Sequence, residues 1–307
     1  MINIFNKEKA KEFTRNLNKE INKLSGYRLK LYEPDEDPDG NFHALCSDVL
    51  KIGSQNNKCR EKFAGILLSK SFQDLLYHKV GNHLGYSEDE INAASNKIIY
   101  TQKVDNGYVR PVIWRGSEMM AISAQQTKTH VAIATWEWGS YFDPKLKVEG
   151  IKLNISNWRR PAPNTIPWDT KASGLYMICT LSKHEAEKQG FTDSLMLEHE
   201  DNIAEATGAN IFFKDKNGEL HTPIPDSFLD GITRRTVIDI AKSKNIKVHE
   251  RKINPEELKN FVGCFLTGTA AEVTPVSCIA DYQFKVCQTI IELNESYQIL
   301  VKKKKAA

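Results

Sequence analysis

The sequence predicts an α/β (α+β) fold in two domains: a smaller N-terminal one over residues 1–142 and a larger one over residues 151–307, with a linker at 143–150. Three observations predict it. At 307 residues the chain is long for a single core. Its second half interleaves short apolar runs with stretches of helical spacing. Between the halves, the stretch DPKLKVEG from Asp143 to Gly150 is polar and turn-rich.

In chain order, residues 7–24 carry an apolar stripe (Ala10, Phe13, Leu17, Ile21, Leu24) on a charged helix, which we read as docking on its own domain. The acidic EPDEDPDGNF that follows reads as a plain loop, because its carboxylates lack calcium-loop spacing. Residues 43–80 show weak periodicity, which leaves 1–86 atypical. Ser87 and Glu90 form a capping box that opens a helix. Tyr108–Trp114 and Val131–Phe142 read as strands.

Lys152–Trp158 is a predicted strand, followed by a loop that Pro161, Pro163 and Pro167 should hold extended. After Lys171 helical spacing begins and runs to about Gln189. Ser194–Glu198 and Ile203–Glu205 read as paired strands, and Ala209–Phe213 and Leu220–Thr222 as a hairpin around Asn217-Gly218. A helix opens at Ile232–Thr233 with Val237, Ile238 and Ala241 on one face. Ile246–His249 is a strand, Asn254-Pro255 starts a helix, and Val262–Thr267 is a short buried strand running into GTAAEVTPV. The last helix covers about residues 285–301, ahead of a solvated tail at Lys302–Lys305.

Composition narrows the function classes. A net charge of +3 gives no reason to expect nucleic acid as a partner, and no apolar run approaches the roughly 20 residues of a membrane span. Six scattered cysteines without metal spacing, and no recognisable leader, read as reduced thiols of a cytoplasmic protein with no metal site.

Four features of the second half carry chemistry. Lys171 stands where a proline-stiffened loop gives way to helix, so its amine has a fixed base and a short reach. Glu205 sits in apolar company just before the turn containing Gly208, where a carboxylate needs a partner. Gly231-Ile232-Thr233 leads directly into a helix, whose free N–H groups suit an anion. Gly268-Thr269-Ala270-Ala271 places small residues where a ligand can approach the backbone closely. Taken singly, each also fits an ordinary structural role.

Together with YVRP, WGSY, WRRPAPNTIPWDTKASGLY, EATGANIF, DGITR and TGTAAEVTPV, in that order over about residues 87–287, these features resemble one family. The family is the class IV, fold-type-IV aminotransferases that use pyridoxal 5'-phosphate, and within it the branched-chain amino acid aminotransferases. The resemblance implies a cofactor in the cleft between domains and a homodimer. It implies that Lys171 bonds the cofactor aldehyde and moves a proton, that Glu205 keeps the pyridine nitrogen protonated, and that Tyr176 bonds the ring hydroxyl. Gly208, Ile232, Thr233 and Thr269 would complete the cofactor site, with Ile232 and Thr233 at the phosphate. Thr269 and Ala270 would hold the substrate carboxylate. Tyr108, Trp138 and Tyr141 would form the substrate wall, and Arg110 would answer the side-chain carboxylate of glutamate. The implied reaction converts Leu, Ile or Val and 2-oxoglutarate into branched-chain 2-oxo acids and glutamate.

One segment departs from the family pattern. His43-Ala44-Leu45 matches, but the FEG expected soon afterwards is missing, and no arginine for the phosphate stands between Ser69 and Asp74. Right length with different residues points either to a reading-frame shift across about residues 46–75 or to divergence that weakens the cofactor site. Ala271 and Thr274 stand where some relatives carry a CxxC pair, so no thiol switch is expected. The competing readings are a D-amino acid aminotransferase, an aminodeoxychorismate lyase, and a catalytically impaired relative of the same fold.

Overall fold

Ser87 accepts the Glu90 amide while the Glu90 side chain reaches back to the Ser87 amide, and this reciprocal cap starts helix α1 (Glu88–Gln102). The computed structural model describes residues 86–302 apart from 120, 121, 123–125, 139–141 and 144. The predicted helix at 7–24, the acidic loop, the divergent segment 46–75 and Tyr141 lie outside the described residues, as does the end of the lysine tail. Strands β1 (Gly107–Arg115) and β2 (Thr129–Glu137) pair antiparallel, with Tyr108 opposite Trp136 and Arg110 opposite Ala134. Ile99, Val104 and Val109 form their small core beneath α1.

The expected strand over 131–142 stops at Glu137. Its last partner is Gly107, the first residue of β1, so Trp138 has no strand opposite it. Helix α2 (Leu146–Glu149) makes a single turn inside the predicted link, and Phe142 already packs into the core of the second sheet.

That sheet contains nine strands among the described residues: β3 (Ile151–Arg159), β4 (Asp193–Leu197), β5 (Ile203–Ala206), β6 (Asn210–Asp215), β7 (Leu220–Thr222), β8 (Val248–Glu250), β9 (Phe261–Gly268), β10 (Glu272–Ile279) and β11 (Tyr282–Gln283). Their spatial order is β5-β4-β3-β10-β9-β6-β7-β8, with β11 paired to β10. Helix α3 (Met177–Lys188) crosses from β3 to its parallel neighbour β4, and α4 (Ile232–Ser243) lies between the parallel strands β7 and β8. Helix α5 (Gln288–Lys302) ends the described chain and packs on β10 and α4.

Alternation along β6 divides the core. Ile211 and Phe213 point into one cluster with Leu153, Leu195 and Leu266, whereas Phe212 joins Phe265, Val237, Ala241 and Leu293 on the other face. Phe212 and Phe265 stack with centroids 5.0 Å apart. Each such buried side chain contributes about 1.5–3 kcal/mol. The apolar face predicted for α4 is the face buried here.

Three expectations are corrected. The proline loop is a succession of turns, not a continuous extended run: the Thr165 amide donates to Ala162 O and the Thr170 amide to Pro167 O. Pro163 occupies the second position of the first turn, where its fixed φ favours turning. Helical structure after Lys171 begins as a 3₁₀ turn (Ser173–Tyr176) before α3, and the helix start at Pro255 stays a 3₁₀ turn through Asn260. GTAAEVTPV, to which the sequence assigns no element, leads into the central strand β10, where Pro275 argues against a strand. Here β3 pairs with β10 only from Val276 onward, which accommodates a residue without an N–H.

Candidate active site

The proline loop carries Lys171 from the end of β3 to the start of the 3₁₀ turn, and the side-chain hydroxyl of Thr170 donates to Pro167 O at 2.7 Å just before it. Five residues on, that turn presents Tyr176, and Lys171 Nζ donates to Tyr176 Oη at 2.7 Å. The Lys171 side chain is open to solvent along part of its surface, yet protein crowds the amine. Desolvation pulls its pKa down, but attraction from Tyr176, Tyr108 and Glu205 outweighs this and leaves it above the ordinary lysine value.

Glu205 occupies the middle of β5, opposite Met196 on β4, and is 7% exposed. Burial pushes its carboxyl up to about 7, against the opposing pull of Arg160 and Lys171, with Asp193 adding repulsion. Arg160 Nε stands 3.5 Å from Glu205 Oε1 and makes no hydrogen bond, while its Nη1 reaches Cys179 Sγ at 3.2 Å. On the other side Asn210 Nδ2 donates to Glu205 Oε2 at 3.2 Å. Asp193, itself buried, accepts from Thr207 Oγ1 at 2.5 Å, which ties the turn after β5 to β4.

That turn places Gly208 beside the β9–β10 connection. Gly208 O and the Ala209 side chain would lie within 3.6 Å of a Cβ on Gly268, whereas a Cβ on Gly208 would meet nothing within 4 Å. Pairing of β6 with β9, with Asn210 opposite Thr267, is what brings Thr269 and Ala270 to this place. Gly231 caps α4, so the first amides of the helix, those of Ile232 and Thr233, lack partners one turn earlier in the helix. Thr233 is buried, with its hydroxyl 3.5 Å from Tyr297 Oη.

From the other sheet, Tyr108 packs against Trp136 and Trp138 with centroids 5.2 and 5.1 Å away. The Arg110 guanidinium lies over the rings of Tyr108 and Trp136, at 5.2 and 5.5 Å. Tyr108 of this cluster contributes to the field at the Lys171 amine. Tyr141, expected on the same wall, is outside the described residues.

Three residues escaped the sequence reading. Trp136 lies two positions before Trp138, and the alternation of WEW could have flagged it as facing the same way. Arg160 and Asn210 stand inside motifs already singled out, but only the folded chain shows that both meet Glu205. Cys179 is a free thiol as expected, and burial pushes it up to about 11.

A hydrogen-bonded amine, a buried carboxyl and a glycine-capped helix start lie on one α/β scaffold. The sequence pattern described as amino-transferase class IV matches residues 76–279, about two thirds of the chain, and the chain belongs to that family. A Rickettsia bellii protein named "Probable branched-chain-amino-acid aminotransferase" is 40% identical over 200 residues, covering 65% of this chain and 68% of the relative. The Escherichia coli branched-chain amino acid aminotransferase structure superposes with a TM-score of 0.71 at 30% identity, over 79% of each chain. The branched-chain amino acid aminotransferase of Thermobaculum terrenum, solved in its PLP form, gives 0.68 at 26% identity over 79% of this chain and 78% of its own. The fold is therefore fold-type IV.

Proposed function

We propose that this chain is a pyridoxal-phosphate-dependent aminotransferase that exchanges the amino group of Leu, Ile or Val with 2-oxoglutarate, giving branched-chain 2-oxo acids and glutamate. The observation that carries the reading is Glu205, a buried carboxyl pushed up to about 7, whose charge is felt at Lys171, which is itself hydrogen-bonded to Tyr176. Arg160 is already the ion-pair partner of Glu205, with Nε 3.5 Å from Oε1, but makes no hydrogen bond to it, so a cation that also donates would hold the charged carboxylate better. A pyridinium nitrogen fits that demand.

When bound, pyridoxal phosphate supplies an aldehyde to take up the amino group and a ring that withdraws electrons from the reacting carbon. The chain's own residues do the rest. Lys171 Nζ takes the proton from the substrate Cα and returns it at the other end of the transfer, with Tyr176 Oη fixing the position of the amine. Glu205 holds a proton at the pyridine nitrogen. Ile232 and Thr233 offer the start of α4 to the phosphate, and Gly208 allows close approach. Amides of Thr269 and Ala270 receive the substrate carboxylate. Tyr108, Trp136 and Trp138 supply apolar surface for a branched side chain, Tyr141 is assigned to the same wall, and Arg110 pairs with the second carboxylate of glutamate.

The domain division at 1–142, 143–150 and 151–307, a cytoplasmic location and a homodimer belong to the same reading. No described helix is long and apolar enough to cross a membrane. Exposed Trp114, Trp158, Met177 and Leu181 support an assembly that covers them. Sedimentation showing only monomer at micromolar concentration would remove the homodimer.

The test of function is optical and kinetic. Wild-type protein should turn yellow with pyridoxal phosphate, lose the colour to borohydride, and convert L-leucine and 2-oxoglutarate at least about a hundredfold faster than D-alanine. Lys171→Ala should neither colour nor turn over. Protein that stays colourless with excess cofactor would defeat the assignment and favour the impaired relative.

A further inference from the structure

We propose that Asn210 is a positioning residue that sets the spacing between the carboxyl end and the anion end of the cofactor cradle. The proposal rests on the assignment of those two ends given above. The observation is a single buried amide that holds both. Asn210 Nδ2 donates to Glu205 Oε2 at 3.2 Å and to Leu229 O at 2.9 Å. Its Oδ1 accepts the Gly231 amide at 3.1 Å, and Gly231 is the cap from which α4 starts. Asn210 is 4% exposed and is the first residue of β6, so its backbone is fixed by pairing with β9.

The three contacts determine which way the amide faces. A flipped amide would set its oxygen against a carboxylate and a carbonyl, and its NH₂ against an N–H. Asp in this place keeps the Gly231 contact and turns the Glu205 contact repulsive. Ala keeps neither.

Gly231 is fitted to this arrangement as well, because a Cβ there would lie 2.3 Å from Asn210 Oδ1. Its φ of −65° is open to any residue, so close approach and not backbone freedom is what requires glycine. The Asn210 N–H favours the charged form of Glu205, in opposition to burial. Displacing Asn210 from the α4 side therefore changes a carboxyl that the start of α4 does not touch through Gly231.

The experiment uses the apoprotein and reads both ends without catalysis. Glu205 is titrated by carbon-13 carboxyl NMR, and inorganic phosphate affinity is measured by calorimetry. In Asn210→Ala the Glu205 midpoint should rise by about half a unit to one unit, and phosphate affinity should fall about fivefold to tenfold. Gly231→Ala should raise the Glu205 midpoint in the wild-type background and leave it unmoved in Asn210→Ala. A side chain that merely supports packing would give no such dependence. If Asn210→Ala does not fold, Asn210→Asp in its place should raise the midpoint further, and a midpoint that stays at the wild-type value in it would overturn the proposal.

A Glu205 midpoint unmoved by Gly231→Ala in folded protein, equal shifts in both backgrounds, or wild-type apoprotein that binds no inorganic phosphate would each overturn the proposal. Failure of the aminotransferase assignment shows separately, as wild-type protein that takes up no pyridoxal phosphate while these apoprotein readouts still respond.

Discussion

At the scale of single residues, the candidate site depends on how one carboxyl is kept near neutrality. Burial pushes folded Glu205 up to about 7, above the ordinary 4.5 that the unfolded chain keeps, so the folded state holds the extra proton between them. Its stabilising effect is complete below the unfolded value and is lost as pH rises through about 7. Over the window this amounts to about 3 kcal/mol. The melting temperature of apoprotein should therefore fall as pH rises from about 4.5 to 7, and Glu205→Gln should flatten that dependence. Arg160 counters burial at the same carboxyl, so Arg160→Met should move the Glu205 midpoint upward and lower kcat by about tenfold or more, as read by carboxyl NMR and steady-state rates. Lys171 and Glu205 stood out in the sequence through the motifs around them, since an amine after a proline-rich loop and a carboxylate among apolar residues each also fit an ordinary role alone. Arg160 and Asn210 did not, because an arginine beside a proline and an asparagine at a strand start are ordinary until pairing brings Glu205 to them.

Among the elements, α4 shows how a helix whose start is proposed to meet the cofactor phosphate is itself held in place. Arg234, 1% exposed, donates to Asp230, Pro223 O, Thr222 Oγ1 and Glu250, and so joins the first turns of α4 to the ends of β7 and β8. Arg234→Met should cost about 3 kcal/mol in urea unfolding, since it strips two carboxylates and a carbonyl of their donor. It should also weaken phosphate binding, because the helix start is no longer fixed. Strands β3, β4, β6, β7 and β9 and the apolar face of α4 were readable because period-2 and helical spacing are local properties. Strand β10 was hidden by Pro275 and a run of small residues, and it exists because β9 and β3 supply partners on both sides. The end of β2 was misplaced for a related reason: apolar pattern continues past Glu137, but the partner strand does not.

For the whole molecule, the connection between the two sheets is anchored by a contact distant in sequence. Lys147 on α2 donates to Glu272 at 3.0 Å, and Glu272 begins β10 with a φ of 55°, beside the turn that carries Thr269 and Ala270. Removing the amine in Lys147→Ala should cost about 1 kcal/mol, discounted for partial exposure, and raise KM for the amino acid more than it lowers kcat. Strand β10 also governs how the protein is made. It enters the middle of the sheet between β3 and β9, although it is almost the last strand of the described chain. Until the ribosome has released Glu272–Ile279, a nascent chain carries two open strand edges facing each other across a gap. Such a chain is exposed to aggregation until β10 inserts, and a stop codon shortly before Glu272 would leave both edges unpaired for good. Chaperone dependence should accordingly concentrate in the interval after β9 and before Glu272–Ile279 has emerged.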